Sequence, residues 1–106
     1  MNKKRLKGEI NSITKQIIKK YKPEKIILFG SAARGEFGLN SDLDFLIIKD
    51  DVPFNGIERR WQVRGMIKKS TPADFLVYRP EELKTSISLE DPFVKTILKE
   101  GKILYG

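Results

Sequence analysis

Apolar residues mark most of the elements along this chain. Leu6, Ile10, Ile13 and Ile17 recur at spacings of 4, 3 and 4, with lysines over much of the remaining surface. That period predicts a helix over residues 3–21, stopped by Pro23. KIILF (25–29) is a short, wholly apolar run and reads as a buried strand ended by Gly30. The compact stretch 31–35 fits one helical turn, and FGLNS (37–41) is a loop by its Gly, Asn and Ser. Residues 42–48 read as a second strand, 49–55 as a loop, and 56–69 as a helix with Ile57 and Trp61 turned inward, Met66 and Ile67 being further candidates. After a break at 70–72, ADFLVY (73–78) is a third strand. Pro80 and Pro92 each open a helix, over 80–86 and 92–100. Gly101 is placed to end the last helix as a left-handed cap, and KILY (102–105) is a final strand. The predicted fold class is α/β (α+β), with one domain over 1–106 and short connections.

Composition removes several chemistries. The 106 residues contain no cysteine and no histidine, so disulfides, thiolates, zinc–thiolate sites and imidazole catalysis are all excluded. Catalysis here has to use carboxylates, lysine, hydroxyls, backbone amides or a hard, oxygen-bound metal. A net charge of +7 favours an anionic partner such as nucleic acid, a nucleotide or an acidic protein. No apolar run approaches the roughly 18 residues that span a bilayer, and no signal-peptide core follows the basic N-terminus, so a cytoplasmic location is expected.

Within LFGSAARGEFGLNSDLDFLII (28–48), Asp42 and Asp44 stand one residue apart at the mouth of a strand, although aspartate is a poor strand former. In a strand they point to one face, about 7 Å apart. Asp74 begins the third strand in the same way. If the two strands pair, three carboxylates converge; their mutual repulsion raises their pKa values unless a divalent cation relieves it. Oxygen ligands without His or Cys suit Mg²⁺ or Mn²⁺. Gly30 and Ser31 open a turn whose free backbone N–H groups suit a phosphate, and Arg34, one turn on, either reaches the same anion or is an exposed surface arginine. Carboxylates facing a phosphate-binding turn are the apparatus of metal-assisted phosphoryl or nucleotidyl transfer. The simpler alternatives are that Asn40, Ser41 and Asp42 only form a turn, and that Asp50 and Asp51 are a solvated turn. Trp61 reads as packing rather than base stacking, and the basic cluster at 3–7 as a solvated helix start. Phe37 and Leu39 either cover the nucleotide or pack on the sheet.

The residues FGSAARGEFGLNSDLDFLI, followed thirty positions after Asp44 by Asp74 in ADFLVY, resemble the polymerase-β-type nucleotidyltransferase superfamily. The Gly-Ser-x-Ala-Arg-Gly form in so short a chain resembles the minimal nucleotidyltransferases, the MNT proteins. This resemblance implies a mixed four-stranded sheet with helices mainly on one face. It implies that Asp42 and Asp44 ligate metal (two Mg²⁺ ions, or Mn²⁺), and that Asp74 completes the ligand set and helps to activate the acceptor hydroxyl. It also implies that Gly30 and Ser31 hold the triphosphate of ATP. MNT proteins are commonly paired with a helical HEPN toxin, and act as antitoxin by transferring AMP to one of its tyrosines. No membrane and no direct nucleic-acid partner is expected. Two alternatives stay open: transfer to a small hydroxylated molecule such as an aminoglycoside, in a pocket that a homo-oligomer would have to build, and a non-catalytic antitoxin that acts by steric binding.

Overall fold

In the computed structural model, which describes residues 3–36 and 42–106, the elements follow in the order α1 (Lys3–Tyr21), β1 (Lys25–Phe29), α2 (Gly30–Ala33), β2 (Leu43–Ile48), α3 (Gly56–Met66), β3 (Ala73–Tyr78), α4 (Pro80–Ser88), α5 (Pro92–Glu100) and β4 (Lys102–Tyr105). The loop expected over 37–41, with Phe37, Leu39, Asn40 and Ser41, lies outside the described residues. The four strands form one mixed sheet in the order β3-β2-β1-β4. β1 pairs antiparallel with both β2 and β4, whereas β2 and β3 run parallel, and α3 is the crossover that a parallel pair requires. No helix among the described residues is long and apolar enough to cross a membrane.

The alternation of side chains along each strand divides the core in two. Ile26 and Leu28 of β1, Leu43, Phe45 and Ile47 of β2, and Ala73, Phe75 and Val77 of β3 face the larger cluster, with Leu6, Ile10, Ile13 and Ile17 of α1, the two alanines of α2 and Val63 of α3. Phe45 and Phe75 are register partners in the centre of this layer, stacked with ring centroids 5.6 Å apart. Truncating either to alanine costs roughly 3–5 kcal/mol. The opposite face is smaller: Ile27, Leu46 and Ile48 meet Ile97 of α5, with Leu83 of α4 packed against them.

The structure corrects the expected orientation of α3. Ile57 and Trp61 are 57% and 67% exposed, while Arg59 and Val63 are buried. At 3.6 residues per turn, Ile57 and Trp61 lie about 160° and 200° round the helix from Arg59. An arginine can take the inward position because its guanidinium is satisfied. It donates to Glu82 twice, at 2.6 and 3.2 Å, and to the carbonyls of Pro53, Phe54 and Val77 at 2.5, 3.2 and 3.1 Å. Glu82 also accepts the Arg79 N–H at the start of α4, at 2.7 Å, so one carboxylate ties α3 to the start of α4.

Three boundaries also shift. α3 ends at Met66 rather than at 69, because Ile67 turns extended to bury its side chain and Lys68 exchanges two hydrogen bonds with Gln16 of α1. α4 runs two residues past 86, to Ser88. Gly101 is not left-handed: its φ is −69°. It is a glycine because a Cβ there would collide with the Ile97 carbonyl and approach Ile27 Cγ2 to 2.7 Å.

Candidate active site

The parallel pairing of β2 with β3 brings Asp44 and Asp74 side by side. They are register partners, as are Phe45 and Phe75 one residue on. The two pairs point to opposite faces, so the buried phenylalanine stack also holds the carboxylates in line. A slip of one residue would turn the aspartates into the larger core. Adjacent strands lie about 4.8 Å apart, which puts the two carboxyl groups within easy electrostatic reach. Asp42 has the same parity but stands just before β2 and is exposed. The ladder starts at Leu43, whose N–H donates to the carbonyl of Pro72 at 3.0 Å. Pro72 has no N–H with which to extend it.

The start of β3 is held from α1. Glu9 accepts the backbone N–H groups of Ser70 and Thr71 at 2.6 and 3.2 Å, and the Ser70 hydroxyl donates to its second oxygen at 3.2 Å. This anchors the segment that carries Asp74.

Gly30 lies against Asp44. Its φ is +75°, in the left-handed region, and a Cβ built on it would run into Asp44 Oδ2. Both facts demand glycine, one through backbone sterics and one through the closeness of the carboxylate. The half-buried Ser31 follows in α2, whose N-terminus has no side-chain cap. Arg34 ends this turn. Its Nε donates to Glu36 at 2.7 Å and its Nη1 lies 3.5 Å from Glu100. A phosphate would have to compete with those two carboxylates.

The electrostatics agree with the clustering. Burial pushes the half-buried Asp44 carboxyl above the usual carboxylate range, the charges of Asp74 and then Asp42 push it the same way, and the Arg34 guanidinium pulls it back. All six expected residues thus lie at one end of the sheet, around the β1–α2 turn and the starts of β2 and β3. Among the described residues, however, no three acidic side chains form a ready-made metal cage. Asp74 Oδ1 is instead 3.7 Å from the Arg60 guanidinium. The donor set is all carboxylate oxygen, its like charge only partly offset by Arg34 and Arg60, and it fits a hard divalent cation in its chemistry.

Sequence reasoning missed Arg60, and also the other side chains around the carboxylates. Asp42 and Asp74 line a cleft of about 410 Å³ together with Arg64 and Lys69 and the Ser70–Thr71 turn. No sequence motif marks these residues, since they meet only when α3 packs beside β3.

This fold and this site define a class, and the chain belongs to it: the family model of the nucleotidyltransferase domain matches residues 10–105, and the protein is a member of that family. Among its relatives are two proteins of Methanocaldococcus jannaschii, each named "Putative protein adenylyltransferase". One is 34% identical over 77% of this chain and 78% of its own length, the other 31% identical over 84% of each. Among solved structures, one described as "a putative nucleotidyltransferase" from Sulfolobus solfataricus superposes with a TM-score of 0.57 at 24% identity, covering 80% of this chain and 82% of that one. A second, described as "the toxin-antitoxin with AMP-PNP", gives a TM-score of 0.62 at 22% identity over 91% of this chain and 72% of that one. The expected mixed four-stranded nucleotidyltransferase fold is therefore the observed one. The layer of α4 and α5 is the minor face.

Proposed function

We propose that this nucleotidyltransferase moves AMP from ATP to a hydroxyl of a partner protein, a tyrosine of a HEPN-type toxin, and so acts as the antitoxin of a pair. One observation carries the chemistry: Asp44 and Asp74 are lateral neighbours on an otherwise apolar pair of strands, with Gly30 of the β1–α2 turn pressed against Asp44. The names of the two archaeal relatives support a protein acceptor, and the toxin-antitoxin neighbour supports the pairing.

In this reading the turn at Gly30 and Ser31 receives the triphosphate, with Arg34 exchanging a carboxylate partner for a phosphate oxygen. Asp42, Asp44 and Asp74 would hold Mg²⁺, with Mn²⁺ as the substitute. When bound, the cation supplies neutralisation of the triphosphate and a lower pKa for the acceptor hydroxyl. Asp74, freed from Arg60, takes the hydroxyl proton. The hydroxyl oxygen bonds to the α-phosphorus of ATP as the bond from that phosphorus to the bridging oxygen breaks. AMP is then esterified to the protein, and pyrophosphate leaves.

The test is label transfer. The protein, Mg²⁺ and α-labelled ATP are incubated with the product of the adjacent gene, with Asp42→Asn/Asp44→Asn as control. Label on the partner that disappears in the control is the expected result. A stable complex without label would replace transfer by steric neutralisation, and neither label nor complex would redirect the search to small hydroxylated acceptors.

A further inference from the structure

Nearly all of the net positive charge sits on one helix. α1 has seven Lys or Arg and a single carboxylate, Glu9, a net of +6 out of the chain's +7. Packing sorts these charges by flank. On the side of α3, Glu9 holds Ser70 and Thr71, Gln16 donates to the Lys68 carbonyl and Lys20 to that of Met66. At about 100° per residue, Lys4, Lys7, Asn11, Lys15 and Lys19 fall within one arc of about 120°, away from that flank. All five are exposed. At the foot of this stripe, Lys7 and Asn11 line a cleft of about 370 Å³ with Lys102 of β4, over Ile10, Leu28 and Leu104. Among the described residues, no ion pair or hydrogen bond engages the ammonium groups of Lys4, Lys7, Lys15, Lys19 and Lys102. The carboxylates of the neighbouring segments do not balance them. Glu36 and Glu100 share Arg34, at 2.7 and 3.5 Å, and Glu24 lies past the end of the helix. The stretches outside the described residues, 1–2 and 37–41, contain no acid.

Against the expectation from the sequence of no direct nucleic-acid partner, we propose that this stripe and Lys102 beside it hold the phosphate backbone of a nucleic-acid duplex, without reading its sequence. Shape and composition together choose the occupant. Lys4 to Lys19 spans about 22 Å along the helix, roughly two-thirds of a duplex turn and longer than one nucleotide needs. The exposed large apolar side chains of the described residues all lie off α1, on or beside α3, α4, α5 and β4. Protein–protein binding energy rests on aromatic and arginine side chains, and lysine is depleted from such interfaces, so bare lysines fit a protein partner poorly. A helix lying in a membrane surface needs an apolar face to insert, and α1 buries its apolar face in the core. A single strand needs aromatic platforms for its bases, which the stripe lacks. A row of duplex phosphates needs only point charges at intervals, which lysines supply. The stripe lies toward β4, at the opposite edge of the sheet from β3 and Asp74, and its occupancy does not depend on the transfer reading.

The test is fluorescence anisotropy of a labelled duplex of about twenty base pairs and mixed sequence, titrated with the full chain over a salt series. Four to five lysine–phosphate contacts predict a slope of log K against log salt of about −4. Lys4→Gln/Lys15→Gln removes two of them. The slope should shrink by about two and the affinity at about 50 mM salt should fall about tenfold or more. The thermal midpoint should stay unchanged, since both side chains are exposed. Lys84→Gln/Lys99→Gln, at exposed positions of α4 and α5, should change neither slope nor affinity. Duplexes of unrelated sequence should bind alike, and excess ATP with Mg²⁺ should not release them. No binding at low salt, or an equal loss in the two double variants, overturns the proposal. So does tighter binding of a single strand, a polyglutamate peptide or phosphatidylserine vesicles, or release by ATP with Mg²⁺. Duplex binding by a protein that transfers no label removes the transfer reading and leaves this site standing. Label transfer by a protein that ignores the duplex does the reverse.

Discussion

Replacing Gly30 by alanine tests the link between the β1–α2 turn and the carboxylates most directly. Two costs are read from the structure. At φ +75° an L-residue meets the left-handed penalty, about 1–2 kcal/mol. The added methyl also strikes Asp44 Oδ2, with Asp44 Cγ 3.3 Å away, so the carboxylate must leave its rotamer at about 0.5–1.5 kcal/mol. Alanine restricts the unfolded chain and returns about 0.4–1 kcal/mol. The net expectation is a loss of about 1–3 kcal/mol in urea denaturation. A double-mutant cycle separates the two costs. In an Asp44→Ala background the nearest remaining Asp44 atom, Cβ, is at 3.6 Å, an ordinary contact. The Gly30→Ala penalty should then fall to the backbone part alone, giving a coupling of about 0.5–1.5 kcal/mol. In an Asp44→Asn background the collision persists and so does the full penalty. Strict additivity with Asp44→Ala would refute the steric argument, and an equal coupling in Asp44→Asn would show that charge, not shape, links the two positions. Label transfer by Gly30→Ala should fall with the displaced carboxylate, whether or not stability is restored by working at lower temperature.

Three further outcomes follow from the structure. Because the folded Asp44 carboxyl lies above its usual range, the folded state binds its proton more tightly, so its contribution to stability declines as pH rises through that range; Asp44→Asn should stabilise the metal-free protein at neutral pH and gain nothing at pH low enough to protonate Asp44, as read from thermal midpoints across pH. Glu82 behaves in the opposite sense: the hydrogen bond from Arg59 holds its carboxyl below the usual range, so the stability it adds is present above that range and is lost as pH falls through the lowered value, and Glu82→Gln should flatten the acid limb of the melting profile. Arg59→Ala takes the guanidinium from the carbonyls of Pro53, Phe54 and Val77 and from Glu82, which keeps the Arg79 N–H, and should cost about 3–5 kcal/mol, whereas Trp61→Ser, on the same helix, should change denaturant stability by no more than about 0.5 kcal/mol.

Most elements of this fold and the parity of the aspartates are local properties. A period of 3.6 over Leu6–Ile17 or of 2 over Asp42–Asp44 is written into neighbouring residues, and it set both the helix and the shared face without reference to the rest of the chain. The proline-opened helices and the Gly30 turn are local in the same sense. What tertiary structure decided depends on partners far along the chain. That Asp74 stands beside Asp44 follows from a parallel pairing whose register is held by Phe45 on Phe75. That Gly30 touches Asp44, and that Gly101 is needed for closeness rather than for handedness, follows from elements meeting in space. The inward side of α3 departs from the apolar pattern for the same reason. Hydrophobicity favoured Ile57 and Trp61, but Arg59 finds Val77 and Glu82, 18 and 23 residues away, to satisfy a buried guanidinium. Only after that choice do Ile57 and Trp61 face solvent beside the cleft, because one helix cannot turn two opposite faces to the same core.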